Sequence, residues 1–132
     1  MAGYSGTALA AKLGLKPGQR MWRDGMPASV ADEIGDIGAI LLDAPKAPID
    51  IAHIFKTERA VLADDLAALR RMLAPAGFVW VSWPKKASKV PTDIDENVIR
   101  DICLPMGLVD VKVCAVDETW SGLKLMIRKE LR

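Results

Sequence analysis

The sequence predicts an α/β domain of three layers, with a mostly parallel sheet that ends in an antiparallel C-terminal hairpin. Three observations predict it. Short apolar runs of strand length alternate with helix-length segments, which implies parallel strands joined by crossover helices. Phe78–Trp83 is apolar on both faces apart from Ser82, as befits a strand inside a sheet. The last two strand candidates, Val109–Val116 and Leu123–Lys129, are joined only by Asp117-Glu118-Thr119-Trp120-Ser121-Gly122, a connection too short for anything but an antiparallel pair.

Taken in order, Thr7–Leu13 is predicted as a short helix: Leu9 and Leu13 are four apart and share a face, and Gly14 is placed to end it. Lys16-Pro17-Gly18 is a turn signal. Arg20–Arg23 is a strand candidate running into Asp24-Gly25. Ser29–Ile34 reads as a short helix capped by Ser29 and stopped at Gly35. Ala39–Leu42 is an apolar run expected as a buried strand, and Ile49–Phe55 is another after Pro45 and Pro48.

Glu58–Leu73 carries the strongest helical pattern, with Leu62, Leu66, Leu69 and Leu73 as its apolar stripe. Thr57 is the expected cap, and Arg70 and Arg71 suit the negative end of the helix dipole. Ala74-Pro75-Ala76-Gly77 is expected to stop it. After Phe78–Trp83 comes a polar loop, Pro84–Pro91, and a helix over Asp93–Leu104. That helix has capping-box spacing at Thr92/Asp95 or Asp93/Glu96 and Ile94, Val98 and Ile102 inward. Val109–Val116 has the partial alternation of an edge strand.

At 132 residues the chain is predicted to form a single domain, 1–132, large enough to build a core without metal or disulfide staples. The first half carries 7 basic and 9 acidic groups and the second 11 and 8, so neither half has the basic excess of a nucleic-acid binder. No apolar run approaches the ~18 residues of a membrane span, and Met1–Gly14 lacks the basic and apolar regions of a signal peptide. The expectation is no nucleic-acid partner, no membrane and a cytoplasmic location. Cys103 and Cys114 read as reduced structural thiols. With one histidine in the chain, no metal site is expected.

The layout from Leu15 to Lys129 resembles the class I methyltransferase fold, a Rossmann-like sheet in reduced form. Leu15-Lys16-Pro17-Gly18-Gln19-Arg20 looks like the lead-in to that fold's first strand, and Leu73-Ala74-Pro75-Ala76-Gly77 like the connection before its fifth. The turn after the first strand departs from the pattern: Trp22-Arg23-Asp24-Gly25-Met26-Pro27 holds one glycine, where a glycine-rich loop would let backbone approach a cofactor. Asp43 stands 18 residues beyond Gly25, near the spacing of a ribose-binding acid, but also reads simply as a solvated turn residue before Pro45. No cofactor is expected, and S-adenosylmethionine is expected not to bind tightly. A second resemblance spans nearly the whole chain. Ala2-Gly3-Tyr4-Ser5-Gly6, Trp83-Pro84-Lys85-Lys86 and Trp120-Ser121-Gly122 look like a family of small bacterial proteins classed as a domain of unknown function. That resemblance implies no activity and no catalytic residues.

The candidate ligand-binding residues are Trp83, Lys85, Lys86, Ser88, Lys89, Trp120 and Ser121. Ligands of open α/β sheets bind beyond the carboxyl ends of strands. The loop after Trp83 and the tip after Val116 are expected together at that edge, with two tryptophans, three lysines and two serines converging on one crevice. Lysines supply charge for phosphate or carboxylate, and an indole can stack a flat ligand. The plainer reading is a solvated lysine loop beside a half-buried tryptophan. His53, in an apolar strand, is expected to be a satisfied core histidine, and Asp117-Glu118 a solvated pair. No residue has the context of an activated nucleophile. The favoured function is a non-catalytic domain binding a small anion or nucleotide. The alternatives are an enzyme acting on an anionic substrate through Lys85, Lys86 or Lys89 with His53, and an interaction module for a protein partner anchored by Trp83 and Trp120.

Overall fold

The computed structural model describes residues 7–132, so the Gly3-Tyr4-Ser5-Gly6 start lies outside the described residues. Four helices and six strands follow in the predicted order: α1 (Ala8–Leu13), β1 (Arg20–Asp24), α2 (Ala28–Ile34), β2 (Ile40–Leu41), β3 (Ile49–Phe55), α3 (Arg59–Met72), β4 (Leu73–Pro84), α4 (Glu96–Cys103), β5 (Leu108–Ala115) and β6 (Trp120–Ile127). The sheet order is β2-β1-β3-β4-β6-β5. The first four strands are mutually parallel, and β6 runs antiparallel between β4 and β5. Strand β5 therefore points the same way as β4, the condition for their following loops to share an edge.

The alternation of side chains divides the core into two layers. Leu62, Leu66 and Leu69 of α3 and Ile99, Ile102 and Cys103 of α4 pack on Ile54, Val79, Val81, Leu123 and Leu125. On the other face, Leu9 and Leu13 of α1 and Val30 and Ile34 of α2 pack on Met21, Ile51 and Trp80. Trp80 is fully buried, and its indole N–H donates to Leu13 O at 2.9 Å, pinning the end of α1 to the central strand. A Cβ at Gly122 would lie 3.2 Å from Trp80 Cε3 and 3.2 Å from Val116 Cγ2, so the bare glycine lets the indole lie across β6.

Several local expectations are corrected. Ala39–Leu42 is not a buried strand: only Ile40 and Leu41 pair, at the sheet edge, and they are 51% and 56% exposed. With β1 as its single strand neighbour, the run lies at the sheet edge, and only its ends, Ala39 and Leu42, pack against the core. Ser29 is not a cap, since Pro27 holds that position without a side-chain bond; a proline fixes the φ the helix start needs. Thr57 does not cap α3 either. Asp93, from beyond β4, accepts from Arg59 N–H at 2.6 Å, a tertiary cap that no local pattern announces. Helix α4 begins at Glu96 instead of Asp93, capped by Asp95, whose carboxylate accepts from Val98 N–H at 2.8 Å. Ala74–Gly77 does end α3, but as the first stretch of β4 and not as a turn. Pro75 cannot continue a helix and forces Ala74 into extended backbone. Val109–Val116 is an edge strand as expected, carried by Leu108–Ala115, while the last strand starts earlier, at Trp120.

Cys103 and Cys114 are both free. Burial pushes the Cys103 thiol up to about 11, and Asp110 adds to the shift; Cys114 is also raised by burial but is only half-buried. Thiolate supply and access both set reactivity. A native-state thiol reagent should therefore modify Cys114 first and Cys103 only with unfolding. Equal rates for the two, followed by mass spectrometry, would contradict that assignment.

Candidate functional site

The loop after β4 is tied to the β5–β6 hairpin by backbone and side chain. Pro84 pairs with Trp120 and Trp83 with Ser121 in the ladder. Lys85 N–H donates to Thr119 O at 2.8 Å, and its ammonium donates to Asp117 O at 2.6 Å. Asp117 in turn folds the hairpin: its Oδ1 accepts from Thr119 N–H at 2.8 Å and Trp120 N–H at 2.7 Å, an Asx-type turn. Loop and tip thus meet at the carboxyl edge, as the strand order requires. Asp117 is a turn-building residue, and Glu118 beside it is exposed.

Residues 86–88 form one turn of 3₁₀ helix. The Ser88 hydroxyl donates to Lys85 O at 2.6 Å and accepts from Val90 N–H at 3.2 Å, so Ser88 is consumed in shaping the loop. Lys89 ends the turn at φ 61°, a left-handed conformation that costs a non-glycine residue about 1–2 kcal/mol.

Of the seven candidate residues, Trp83, Lys85, Lys86 and Lys89 line one open cleft of about 710 Å³, walled on its far side by residues 90–97 and Arg100. The other three do not line it. Trp83 belongs to the α3/α4 layer and Trp120 packs with the opposite layer, its ring edge-on to Phe55 with centroids 5.1 Å apart. They sit one residue out of step in the β4–β6 ladder, and that parity sends them to opposite faces. The expected convergence of two tryptophans is thereby corrected, and so is a tryptophan-anchored patch, since Trp83 is buried.

The carboxylates around the cleft are engaged. Asp93 caps α3 and Asp95 caps α4. Glu96 and Asp110 accept from Arg100 at 2.9 and 3.0 Å, which raises the guanidinium's pKa through those hydrogen bonds. Lys85 is held by Asp117 O. Lys86 and Lys89 are exposed and have no side-chain bond to any described residue. They are the cations this cleft offers a ligand.

The carboxyl ends of β1 and β3 are arranged differently. Gly25 takes φ +70°, and a Cβ there would lie 3.1 Å from Phe55 O, so the turn's backbone already rests on the end of β3. Lys56, the next residue, donates to Asp24 at 2.6 Å and Asp65 at 2.5 Å. Burial opposes charge on Lys56, but the hydrogen bonds to both carboxylates outweigh it and hold its pKa above the ordinary value. Asp43 is exposed in the bend before Pro45, which is the simple reading of that residue.

His53 is fully buried on the α1/α2 face, away from the lysine cleft, which corrects its pairing with those lysines. Its Nε2 is 2.8 Å from Ser82 Oγ, its ring stacks on Phe55 at 4.5 Å, and its Nδ1 has no partner among the described residues. Burial, reinforced by the Arg23 charge, lowers its pKa to about 3. The histidine is half-satisfied where a satisfied one was expected. Part of the signal for the pair was available in sequence: Ser82 is the single polar residue of Phe78–Trp83, and His53 stands with Asp50 as one of two in Ile49–Phe55.

The family model described as "Protein of unknown function (DUF3052)" matches residues 10–129. The chain belongs to this family. The match includes the Trp83-Pro84-Lys85-Lys86 and Trp120-Ser121-Gly122 segments, so the loop and hairpin of the cleft lie within the DUF3052 domain. No curated protein matches the sequence. Solved structures share the fold. One is magnesium protoporphyrin IX methyltransferase (ChlM) from Synechocystis PCC 6803 with bound SAH, at TM-score 0.61 and 10% identity, over 89% of this chain and 79% of that one. A SAM-dependent methyltransferase from Aquifex aeolicus gives 0.59 and 16%, over 92% and 90%. The ribosomal protein L11 methylase from Lactobacillus delbrueckii subsp. bulgaricus gives 0.58 and 12%, over 90% and 74%. The DUF3052 domain thus has the methyltransferase-like α/β fold. Among its described residues no helix is long and apolar enough to cross a membrane, and no group of three or more His, Cys, Asp or Glu is gathered as for a metal ion.

Proposed function

We propose that this DUF3052 chain is a non-catalytic domain that binds a small anion or nucleotide in the cleft beyond β4. The observation that carries it is the charge arrangement: Lys86 and Lys89 line the cleft with Trp83 and have no side-chain bond to any described residue, while Asp93 and Asp95 each hold a helix cap through one oxygen and Glu96 pairs with Arg100. Lys89 holds its place in a left-handed conformation, the kind of local strain that concentrates at binding loops. Against methyl transfer stands the turn after β1, Trp22–Pro27, whose single glycine, Gly25, is packed so that a Cβ would lie 3.1 Å from Phe55 O; it offers no backbone cradle of the glycine-rich kind, and the residues present do not fit S-adenosylmethionine. The non-catalytic half of the reading is supported by His53, sealed on the other face, and by two thiols raised by burial.

Isothermal titration with AMP and with pyrophosphate tests it. At least one should bind saturably, and Lys86→Ala with Lys89→Ala should weaken that binding about tenfold, ~1.4 kcal/mol. Stability should stay within about 0.5 kcal/mol, because both side chains are exposed. Unchanged affinity in the double variant removes the role of the lysines. Micromolar binding of S-adenosylmethionine removes the reading of the Gly25 turn.

A further inference from the structure

A second cleft, of about 410 Å³, lies on the α1/α2 side of the sheet near its β2 edge and includes Arg23, Asp32, Asp36, Ile37, Ala39 and Leu41 in its lining. Arg23 faces His53 across the β1–β3 ladder. Its guanidinium makes no hydrogen bond or ion pair with any described residue, and its Nε is sealed from solvent without a partner. The neighbouring His53 Nδ1 is sealed and unpaired as well. Buried polar atoms in native proteins are nearly always paired, and adjacent exceptions point to a missing partner such as a ligand, ion or water. A guanidinium keeps its charge even where burial pulls its pKa down, as here, because its ordinary value is so high.

We infer that this cleft is a separate binding site, for a short-chain amino or hydroxy acid whose carboxylate is held by Arg23. The planar fork of the guanidinium matches a carboxylate with two parallel hydrogen bonds. Asp32 is exposed on α2 and has no bond to another described residue, and Asp36 spends only Oδ1, on Gly38 N–H at 2.9 Å. Two carboxylates lining the same cleft as one arginine suit a ligand with a donor next to its acid group, and repel a simple polyanion. Ile37, Ala39 and Leu41 give the carbon chain an apolar wall. The volume fits a small metabolite at the low end of ordinary ligand pockets. This site does not rest on the lysine cleft, which lies on the other face of the sheet.

The test is an NMR titration of the ¹⁵N-labelled chain with L-lactate and with L-serine, following the Arg23 side-chain Nε–H and the amides of residues 31–39. At least one probe should shift these signals saturably in the millimolar range, and acetate, which lacks the donor, should bind at least about tenfold more weakly. Arg23→Met should abolish the shifts at residues 31–39 and raise the melting temperature of the free protein by a few degrees, because a half-buried unpaired charge is removed. Arg23→Lys keeps the charge and loses the fork; it should fold and bind at least about tenfold more weakly, and it carries the test if the methionine variant does not fold. Lys86→Ala with Lys89→Ala should leave the shifts intact, which separates this site from the first. No saturable shift with either probe, full binding by Arg23→Met or Arg23→Lys, or a folded Arg23→Met that is less stable than wild type would overturn the inference.

Discussion

Gly77→Ala is expected to destabilise the domain by about 3 kcal/mol or more. A Cβ at Gly77 would stand 2.7 Å from Ile49 O and 3.0 Å from both Ala74 O and Asp50 O. All three neighbours are backbone, so no side chain can rotate away. The site is also where the β3–β4 ladder shifts register, between Ile49 and Ile51. Relief would require prying apart the two central strands, whose Ala52, Ile54, Val79 and Val81 are wholly buried in the core. Gly18→Ala is the matched control. Gly18 has φ +81° but nothing within 4 Å of its Cβ position, so only the cost of a left-handed alanine applies, roughly 1 kcal/mol. Urea unfolding of both variants measures the difference. A Gly77→Ala midpoint equal to that of Gly18→Ala would mean that the strands can separate locally at little cost.

That glycine illustrates how the sequence was legible and where it was not. The stop signal at Ala74-Pro75-Ala76-Gly77 was readable, because proline and glycine act locally. What the chain does after stopping was not, because a backbone-to-backbone approach between β3 and β4 depends on tertiary pairing. The same division holds for the site. The meeting of the Lys85–Lys89 loop with the Trp120–Gly122 tip followed from strand order alone. The opposed faces of Trp83 and Trp120 followed from the β4–β6 register, and that register places β6 between β4 and β5, an order that sequential hairpin logic does not supply. Asp93 as the cap of α3 is a bond across 34 positions, outside any local window. Arg23 looked like an ordinary polar residue at a strand end. Its significance lies in what surrounds the guanidinium, and no residue spacing encodes a missing partner.

Acid should weaken the fold through His53, and the sign follows from which state takes up the proton. In the unfolded chain the imidazole titrates near its ordinary 6.5, whereas in the fold burial and the Arg23 charge lower it to about 3. Above pH 6.5 both states are neutral at this residue, and it contributes no pH dependence. Between 6.5 and about 3 only the unfolded state binds the proton, so stability falls with decreasing pH, by about 1.4 kcal/mol per unit. From pH 7 to pH 4.5 the loss is about 3 kcal/mol, a large share of a typical domain's total. His53 is the one histidine in the chain, so no other imidazole shares this window; carboxylates that titrate at its lower end are common to any variant. The informative variant is His53→Phe with Ser82→Ala. It removes both members of the 2.8 Å pair, so that no hydroxyl is left buried without its partner, and a phenyl ring can keep the stacking on Phe55. Its stability at pH 7 should lie within a few kcal/mol of wild type, and its stability curve between pH 7 and 4.5 should be flatter by that same ~3 kcal/mol. The His53 ring proton shift should hold its neutral position down to about pH 4. Parallel stability curves for the two proteins would show that His53 accepts its proton inside the fold, and that the unpaired Nδ1 is open to water.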